Sequence, residues 1–231
     1  MTEPPSRVRW AALGAAGLLT IAALPGCVRN IDGVAAWTGG SVVSPSRQPP
    51  THQGRPAPGI ETTLRQPVPP NAFVCFPAPG GDGLGTVAQV DDSAAPRITV
   101  TVPDGWTSEP GQRDLALTLG GPDGMTGTVT IVATKLDPAR AFSDYAAKLA
   151  HSRSDFQVQT LGAKFCGYSS QKLVGTFVEP SGTVEFADRL THIWTNTADY
   201  LVAIHIEGPL DTPGFGAAKT TLTQDFAVVI P

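Results

Sequence analysis

The chain has 231 residues, enough for one ordinary domain with additional segments. Its 25 glycines and 22 prolines indicate long irregular stretches beside a compact part. The net charge is −4 at pH 7, so the chain lacks the basic excess that neutralises nucleic-acid phosphates or anionic lipid headgroups. A nucleic-acid partner is therefore not expected.

Residues 1–26 have the pattern of an export signal. Arg7 and Arg9 precede an uncharged apolar run over residues 10–24, and a glycine stands directly before Cys27. A basic start, a short apolar run and a small residue before the cleavage site are typical of a secretory signal. The run is shorter than the roughly 20 apolar residues that a membrane-spanning helix needs. We therefore expect export followed by cleavage.

Residues 24–27, Leu-Pro-Gly-Cys, resemble the lipobox of bacterial lipoproteins, although Pro25 departs from the small or apolar residue that is usual there. The resemblance implies that acyl chains such as palmitate are attached at Cys27, which becomes the first residue of the mature protein. Such anchoring places the chain on the extracytoplasmic face of the cell membrane. The alternative is an ordinary cleaved signal followed by a coincidental cysteine.

With Cys27 assigned to the anchor, Cys75 and Cys166 remain as an even pair in an exported, oxidising setting. Such a pair predicts a disulfide bond that attaches the segment before the domain to the sheet. The alternative is a reactive thiol or a metal-binding pair, but neither a Cys-x-x-Cys spacing nor a nearby histidine supports it. No metal site and no cofactor are expected.

A tether is predicted between the anchor and the domain. Residues 28–70 are rich in proline with Ser, Thr, Gln and Gly, and they show neither helical nor strand periodicity. The sequence therefore divides into a signal at 1–26, a lipidated tether at 27–70 and a folded domain at 71–231.

The domain has mostly strand patterns. Apolar side chains alternate in 97–102, 114–119 and 128–134, and the short turns between these segments predict that the three strands pair as antiparallel neighbours. Later strands are predicted at 155–165, 171–179, 183–195 and 199–207. Acidic residues such as Glu185 and Asp188 are expected on solvated strand faces.

Two helices complete the predicted elements. Asp137 and Pro138 are suited to the N-cap and first position of a helix, and an apolar stripe follows them. Residues 212–226 are predicted to form a closing helix. Strands, a helix, more strands and a final helix predict an α+β fold in which an antiparallel sheet is flanked by helices.

The lipobox, the Pro-rich tether and the order of elements together resemble the mycobacterial LpqN/LpqT family of lipoproteins. The motifs that carry the resemblance are Pro-Asp-Gly-Trp at 103–106, Asp-Pro at 137–138, Gly-Thr-Phe at 175–177 and Gly-Pro at 208–209. The resemblance covers about residues 71–231 and implies a Mog1/PsbP-like α/β/α sandwich. It also implies a binding or accessory role in envelope lipid biology, and it brings no catalytic residues.

No enzyme signature is present in the sequence. The chain has no His-Glu-x-x-His, no Gly-x-Ser-x-Gly and no clustered metal-ligand spacing. Asp188 and His192 lie on one face of a predicted strand, but about 13 Å apart, which is too far for direct pairing. A hydrolase that uses Asp188 or His192 is the least favoured alternative.

The preferred interpretation is a non-catalytic envelope lipoprotein that binds an apolar envelope molecule or a membrane transport protein that handles one. A crevice between helix and sheet, lined by Trp106, Phe177 and Trp194, is the candidate ligand site. The alternative role for these aromatic residues is plain core packing. The alternative function is a protein–protein adaptor without a ligand cavity.

Overall fold

The computed structural model describes residues 57–62, 65–77 and 83–231. The predicted signal, Cys27 and the tether up to residue 56 lie outside the described residues. The described elements, in chain order, are β1 (Ala72–Cys75), β2 (Gly83–Ala88), β3 (Arg97–Pro103), β4 (Thr107–Pro110), β5 (Leu115–Gly120), β6 (Thr126–Thr134), α1 (Pro138–His151), β7 (Ser154–Phe165), β8 (Tyr168–Glu179), β9 (Gly182–Trp194), β10 (Asp199–Pro209), α2 (Phe215–Leu222) and β11 (Ala227–Ile230).

The strands form two antiparallel sheets. The larger sheet has seven strands in the order β4-β5-β6-β10-β9-β8-β7, and the smaller has four in the order β1-β11-β3-β2. Strands β7 to β10 are long, with 11 to 13 residues each; the middle of β9 is buried on both faces, whereas β7 at the edge of the sheet is mostly exposed. Within the described ranges, no helix is long and apolar enough to cross a membrane.

Successive residues of β9 and β10 point to two different cores. Ala187, Ile193 and the even-numbered residues of β10 face the smaller sheet and α2. Phe186, Leu190 and Ala203 face the opposite side, where Phe142 of α1 packs on them. The larger sheet is therefore the middle layer, with α1 on one face and the smaller sheet with α2 on the other.

Helix α1 begins as its sequence predicts. The Asp137 carboxylate accepts a hydrogen bond of 3.0 Å from the Arg140 backbone N–H, and Pro138 occupies the first turn. This cap satisfies one of the backbone donors that every helix leaves unpaired at its start. The predicted N-cap is therefore confirmed.

The antiparallel sheet is confirmed, whereas the expected flanking by helices applies fully to only one face. Much of the other face is covered by the smaller sheet, so the described chain is mostly β. The closing helix predicted at 212–226 ends at Leu222, and the residues beyond Phe226 form β11 instead. The predicted pairing of 97–102 with 114–119 is wrong. Strand β3 pairs with β2 in the smaller sheet, and the short strand β4, which follows residue 106, pairs with β5 in its place.

Candidate ligand-binding site

An apolar groove of about 600 Å³ lies beside β1. Its walls come from the segment at 62–69, from strand β1, from the turn between β7 and β8, and from Trp194 at the end of β9. None of the described residues that line it is charged. Sites for small molecules typically have volumes of about 300–1,000 Å³ and a mainly apolar lining. The groove has a volume in this range and a lining more apolar than polar, and it is open to solvent along one side.

The turn between β7 and β8 forms one end of the groove. Phe165 pairs with Tyr168, and the two residues between them, Cys166 and Gly167, have φ angles of 48° and 80°. Positive φ at both central residues is typical of the tight hairpin turn whose twist matches that of the strands. The side chain of Cys166 bonds to Cys75 at the end of β1, with the Cα atoms 5.7 Å apart. The predicted disulfide is confirmed, and it joins the two sheets at the groove.

The segment at 57–62 is held against β8 by hydrogen bonds. The Ser170 N–H donates to the Gly59 carbonyl at 2.8 Å, and the Ser169 hydroxyl accepts from the Glu61 N–H at 2.9 Å. The Gln171 amide donates to the Pro58 carbonyl at 2.7 Å. Composition predicts a solvated tether here, but these residues lie on the sheet.

Residues 65–70 are fixed by the turn between β9 and β10. The Asn196 amide both donates to the Val68 carbonyl and accepts from the Val68 N–H, each at 3.0 Å, as a neighbouring strand would. The Arg65 guanidinium makes two bonds, of 2.9 and 3.0 Å, to the Asp199 carboxylate. The wall of the groove is therefore anchored at both ends.

A smaller polar pocket of about 190 Å³ adjoins the groove and shares Tyr168 and Trp194 with it. His192 lines this pocket; its Nε2 lies 3.0 Å from the Leu136 carbonyl and therefore carries a proton. Its Nδ1 is 3.9 Å from an Asp199 oxygen, beyond hydrogen-bond distance. Ser169 also lines the pocket, but its hydroxyl bonds to the Glu61 backbone.

The three aromatic residues predicted to line one crevice lie in different surroundings. Trp194 is half-buried in the groove wall, with the Arg65 guanidinium 5.8 Å from its ring. Phe177 is buried in the core beneath α1, and Trp106 packs over Gly121 at the edge of the other core. Of the three, Trp194 alone lines the groove. That it contacts a ligand remains a prediction.

A buried cluster of charged groups lies between α1 and the larger sheet. Asp188 on β9 is fully buried and accepts hydrogen bonds from the Tyr145 hydroxyl at 2.6 Å and from His205 Nδ1 at 2.8 Å. His205 Nε2 donates to Glu207 at 2.9 Å, and Arg153 donates to the same carboxylate oxygen at 2.7 Å. The expectation that Asp188 lies on a solvated face is therefore wrong, because α1 covers that face.

The surroundings of His205 favour its protonated form. Burial alone would lower its pKa, but hydrogen bonds to Asp188 and Glu207 outweigh burial and raise the pKa to about 9. The hydrogen bond from His205 lowers the pKa of Glu207, and burial with the Asp188 charge raises the pKa of Tyr145. At neutral pH two positive and two negative groups balance each other, which is the condition under which buried charges are tolerated.

Stability is expected to decrease at alkaline pH. A histidine whose pKa rises from 6.5 to about 9 on folding stabilises the fold fully below pH 6.5, and this contribution is lost as pH rises through 9. We expect a loss of about 2–3 kcal/mol over that interval, measured by urea unfolding. His205→Gln should remove this part of the pH dependence, whereas His151→Gln, at an exposed position, should retain it. Equal pH profiles for wild type and His205→Gln would contradict the assignment.

Comparison with known proteins shows a relationship at the level of fold. No family model matches the chain, and no curated protein sequence matches it. LpqN of Mycobacterium tuberculosis, described as involved in cell envelope biogenesis, matches in structure with a TM-score of 0.50 and 18% identity over 63% of this chain and 91% of LpqN. A putative regulator of unknown function from Pseudomonas aeruginosa, PA94, has a TM-score of 0.34 and 13% identity over 62% and 96% of the two chains, too weak a likeness to support an argument.

The likeness to LpqN agrees with the fold that the sequence motifs imply. At 18% identity it concerns the fold alone, so membership of the LpqN/LpqT family remains a prediction.

Sequence reasoning missed the contribution of residues 57–70 to the site. The amide of Asn196 and the hydroxyl of Ser169 hold that segment, and a proline-rich composition gives no signal of such contacts.

Proposed function

We propose that the chain is a lipid-anchored protein on the extracytoplasmic face of a bacterial cell membrane, and that its domain binds an apolar envelope molecule without transforming it. The observation that carries this proposal is the groove of about 600 Å³ whose described lining has no charged residue. An apolar ligand gains most from a site of this kind, because no buried charge loses its hydration when the ligand binds. The fold likeness to LpqN, itself involved in cell envelope biogenesis, adds support.

The positions of the candidate catalytic groups support a non-catalytic role. Asp188 has no exposed surface, and one of its oxygens is already held by Tyr145 and His205. The raised pKa keeps His205 protonated at neutral pH, where it is a poor general base. His192 donates its Nε2 proton to the Leu136 carbonyl. The hydrolase alternative therefore has no accessible nucleophile and base in hydrogen-bond contact among these groups.

Anchoring is tested at Cys27, which lies outside the described residues. Wild-type protein expressed in a mycobacterial host and labelled with a palmitate analogue should carry the label and fractionate with membranes. Cys27→Ala should lose the label, because the acyl chains attach at that sulfur. Label retained in Cys27→Ala, or an unlabelled wild type, contradicts the anchor.

Ligand binding is tested by placing charge in the groove wall. Thr62 and Gln66 are exposed side chains that line the groove. The double variant Thr62→Glu/Gln66→Glu should weaken binding of the fluorescent fatty acid cis-parinaric acid by roughly tenfold, because an apolar chain would have to desolvate a carboxylate. Fluorescence titration measures the affinity, and mass spectrometry of gently purified protein identifies any co-purifying lipid.

Strand β7 offers a matched control. Gln159 and Thr160 are also exposed, and Gln159→Glu/Thr160→Glu adds the same charge away from the groove lining. This variant should bind the probe as wild type does. Equal loss in both variants, or no binding by wild type and no co-purifying lipid, contradicts the proposal and favours the adaptor without a ligand cavity.

A further inference from the structure

Two phenylalanines stand at the rim of the groove with most of their surface in solvent. Phe73 on β1 lines the groove and is 65% exposed, and Phe76, just beyond β1, is 74% exposed. Their rings meet edge to face, with centroids 5.7 Å apart. Paired aromatic rings left in water at the mouth of an apolar groove are typical of a contact surface and contribute little to the core.

The face that carries Phe73 has the side chains of a bilayer contact. The strand register places Val229 beside Phe73 and Arg97 beside Val229, all three on the outer face of the smaller sheet. Arg97 donates to the Asn71 side chain at 3.0 Å. Apolar side chains such as phenylalanine beside a basic residue are a combination found in segments that lie in the membrane–water interface.

The chain that leads from the proposed anchor enters the described structure against β8, five positions before the groove wall. Thirty positions separate Cys27 from Ala57, the first described residue, and they span at most about 100 Å. The segment beginning at Ala57 then becomes a groove wall at Thr62. The rim is therefore within reach of the membrane that would hold the acyl chains.

We propose that Phe73 and Phe76 insert into the surface of a lipid bilayer and that the groove opens onto it. An apolar molecule then passes between bilayer and groove without crossing water. The passage of a molecule into the groove rests on the proposed function, whereas the bilayer contact of Phe73 and Phe76 does not.

The test uses the mature chain, residues 27–231, with Cys27→Ser so that no acyl chain can supply the binding. Flotation with neutral phosphatidylcholine vesicles removes electrostatic attraction as a cause. This Cys27→Ser chain is the reference and should float with the vesicles. Adding Phe73→Ser/Phe76→Ser to it should reduce the bound fraction by roughly tenfold or more, since two aromatic insertions are lost. Phe76→Ser alone should show an intermediate loss, and near-ultraviolet circular dichroism verifies the fold of each variant.

Val158→Ser/Leu161→Ser is the matched control, because these two β7 side chains are 42% and 40% exposed and do not line the groove. This control, made in the same Cys27→Ser chain, should float as the reference chain does. A reference chain that stays in solution, or equal loss in the control, overturns the inference. Binding of cis-parinaric acid is measured on the same protein preparations without vesicles. Probe binding without flotation contradicts the bilayer contact and leaves the proposed function in place. Flotation without probe binding contradicts the proposed function, and with it the passage of a ligand into the groove, and leaves the bilayer contact in place.

Discussion

Asp188→Asn is expected to lower the free energy of unfolding by about 3–5 kcal/mol at pH 6.5, measured by urea unfolding. The asparagine oxygen can still accept from Tyr145 and His205, but the negative charge that pairs with protonated His205 is gone. The second oxygen of Asp188 is buried and has no hydrogen-bond partner within the described residues, so an amide nitrogen there would be an unsatisfied donor. Both effects act against the folded state.

An exposed carboxylate provides the comparison for this change. Glu109 lies on β4, a strand whose residues are all exposed, and Glu109→Gln removes the same charge there. Its effect should stay within about 0.5 kcal/mol. The Asp188 variant should also lose most of the stability change between pH 6.5 and 9, because His205 would then titrate closer to its ordinary pKa. A variant as stable as Glu109→Gln would show that the buried charges are not coupled.

Much of the larger sheet could be predicted from the sequence. Strands β7 to β10 follow the predicted segments closely, because each is a run of 11 to 13 residues bounded by turn residues and is long enough to recognise in the sequence. Strands β1 and β11 have four residues each, too few for a periodic signal, and β2 contains two glycines. The smaller sheet therefore became visible only in the structure, and with it the layer that replaces a helix on the second face.

The buried cluster illustrates a different limit of sequence reasoning. Asp188 and His205 are direct partners across β9 and β10, although 17 positions separate them in the chain. Comparing residues within one strand leads to Asp188 and His192, which point the same way but are too far apart to bond. The pairing of Asp188 with His205 depends on the strand register. Side-chain periodicity determines only which face each residue occupies, and the turn at residues 195–198 determines which residues of that face become partners.

Loss of the disulfide between Cys75 and Cys166 should lower the free energy of unfolding by a similar amount, but through its effect on the unfolded chain. Cys75 and Cys166 are separated by 91 positions, and in the chain-entropy model a cross-link over such a loop stabilises a fold by about 4–5 kcal/mol through restriction of the unfolded chain. Because Cys166 has a φ angle of 48°, asparagine is the suitable replacement there, since it accepts the left-handed conformation. The expected result for Cys75→Ala/Cys166→Asn is a loss of this size in urea unfolding.

Reduction of the wild type separates the cross-link from the substitutions. Reduced wild type should match the double variant in stability, and the reductant should leave the variant unchanged. The groove adds a second measurement. Among the described strands β1 pairs with β11 alone, and the disulfide joins β1 to the turn at Cys166. If the bond acts only on the unfolded chain, the folded variant binds cis-parinaric acid as wild type does; if it also holds the groove walls together, affinity falls with stability. A variant that keeps both stability and affinity would show that the disulfide stabilises neither the fold nor the groove.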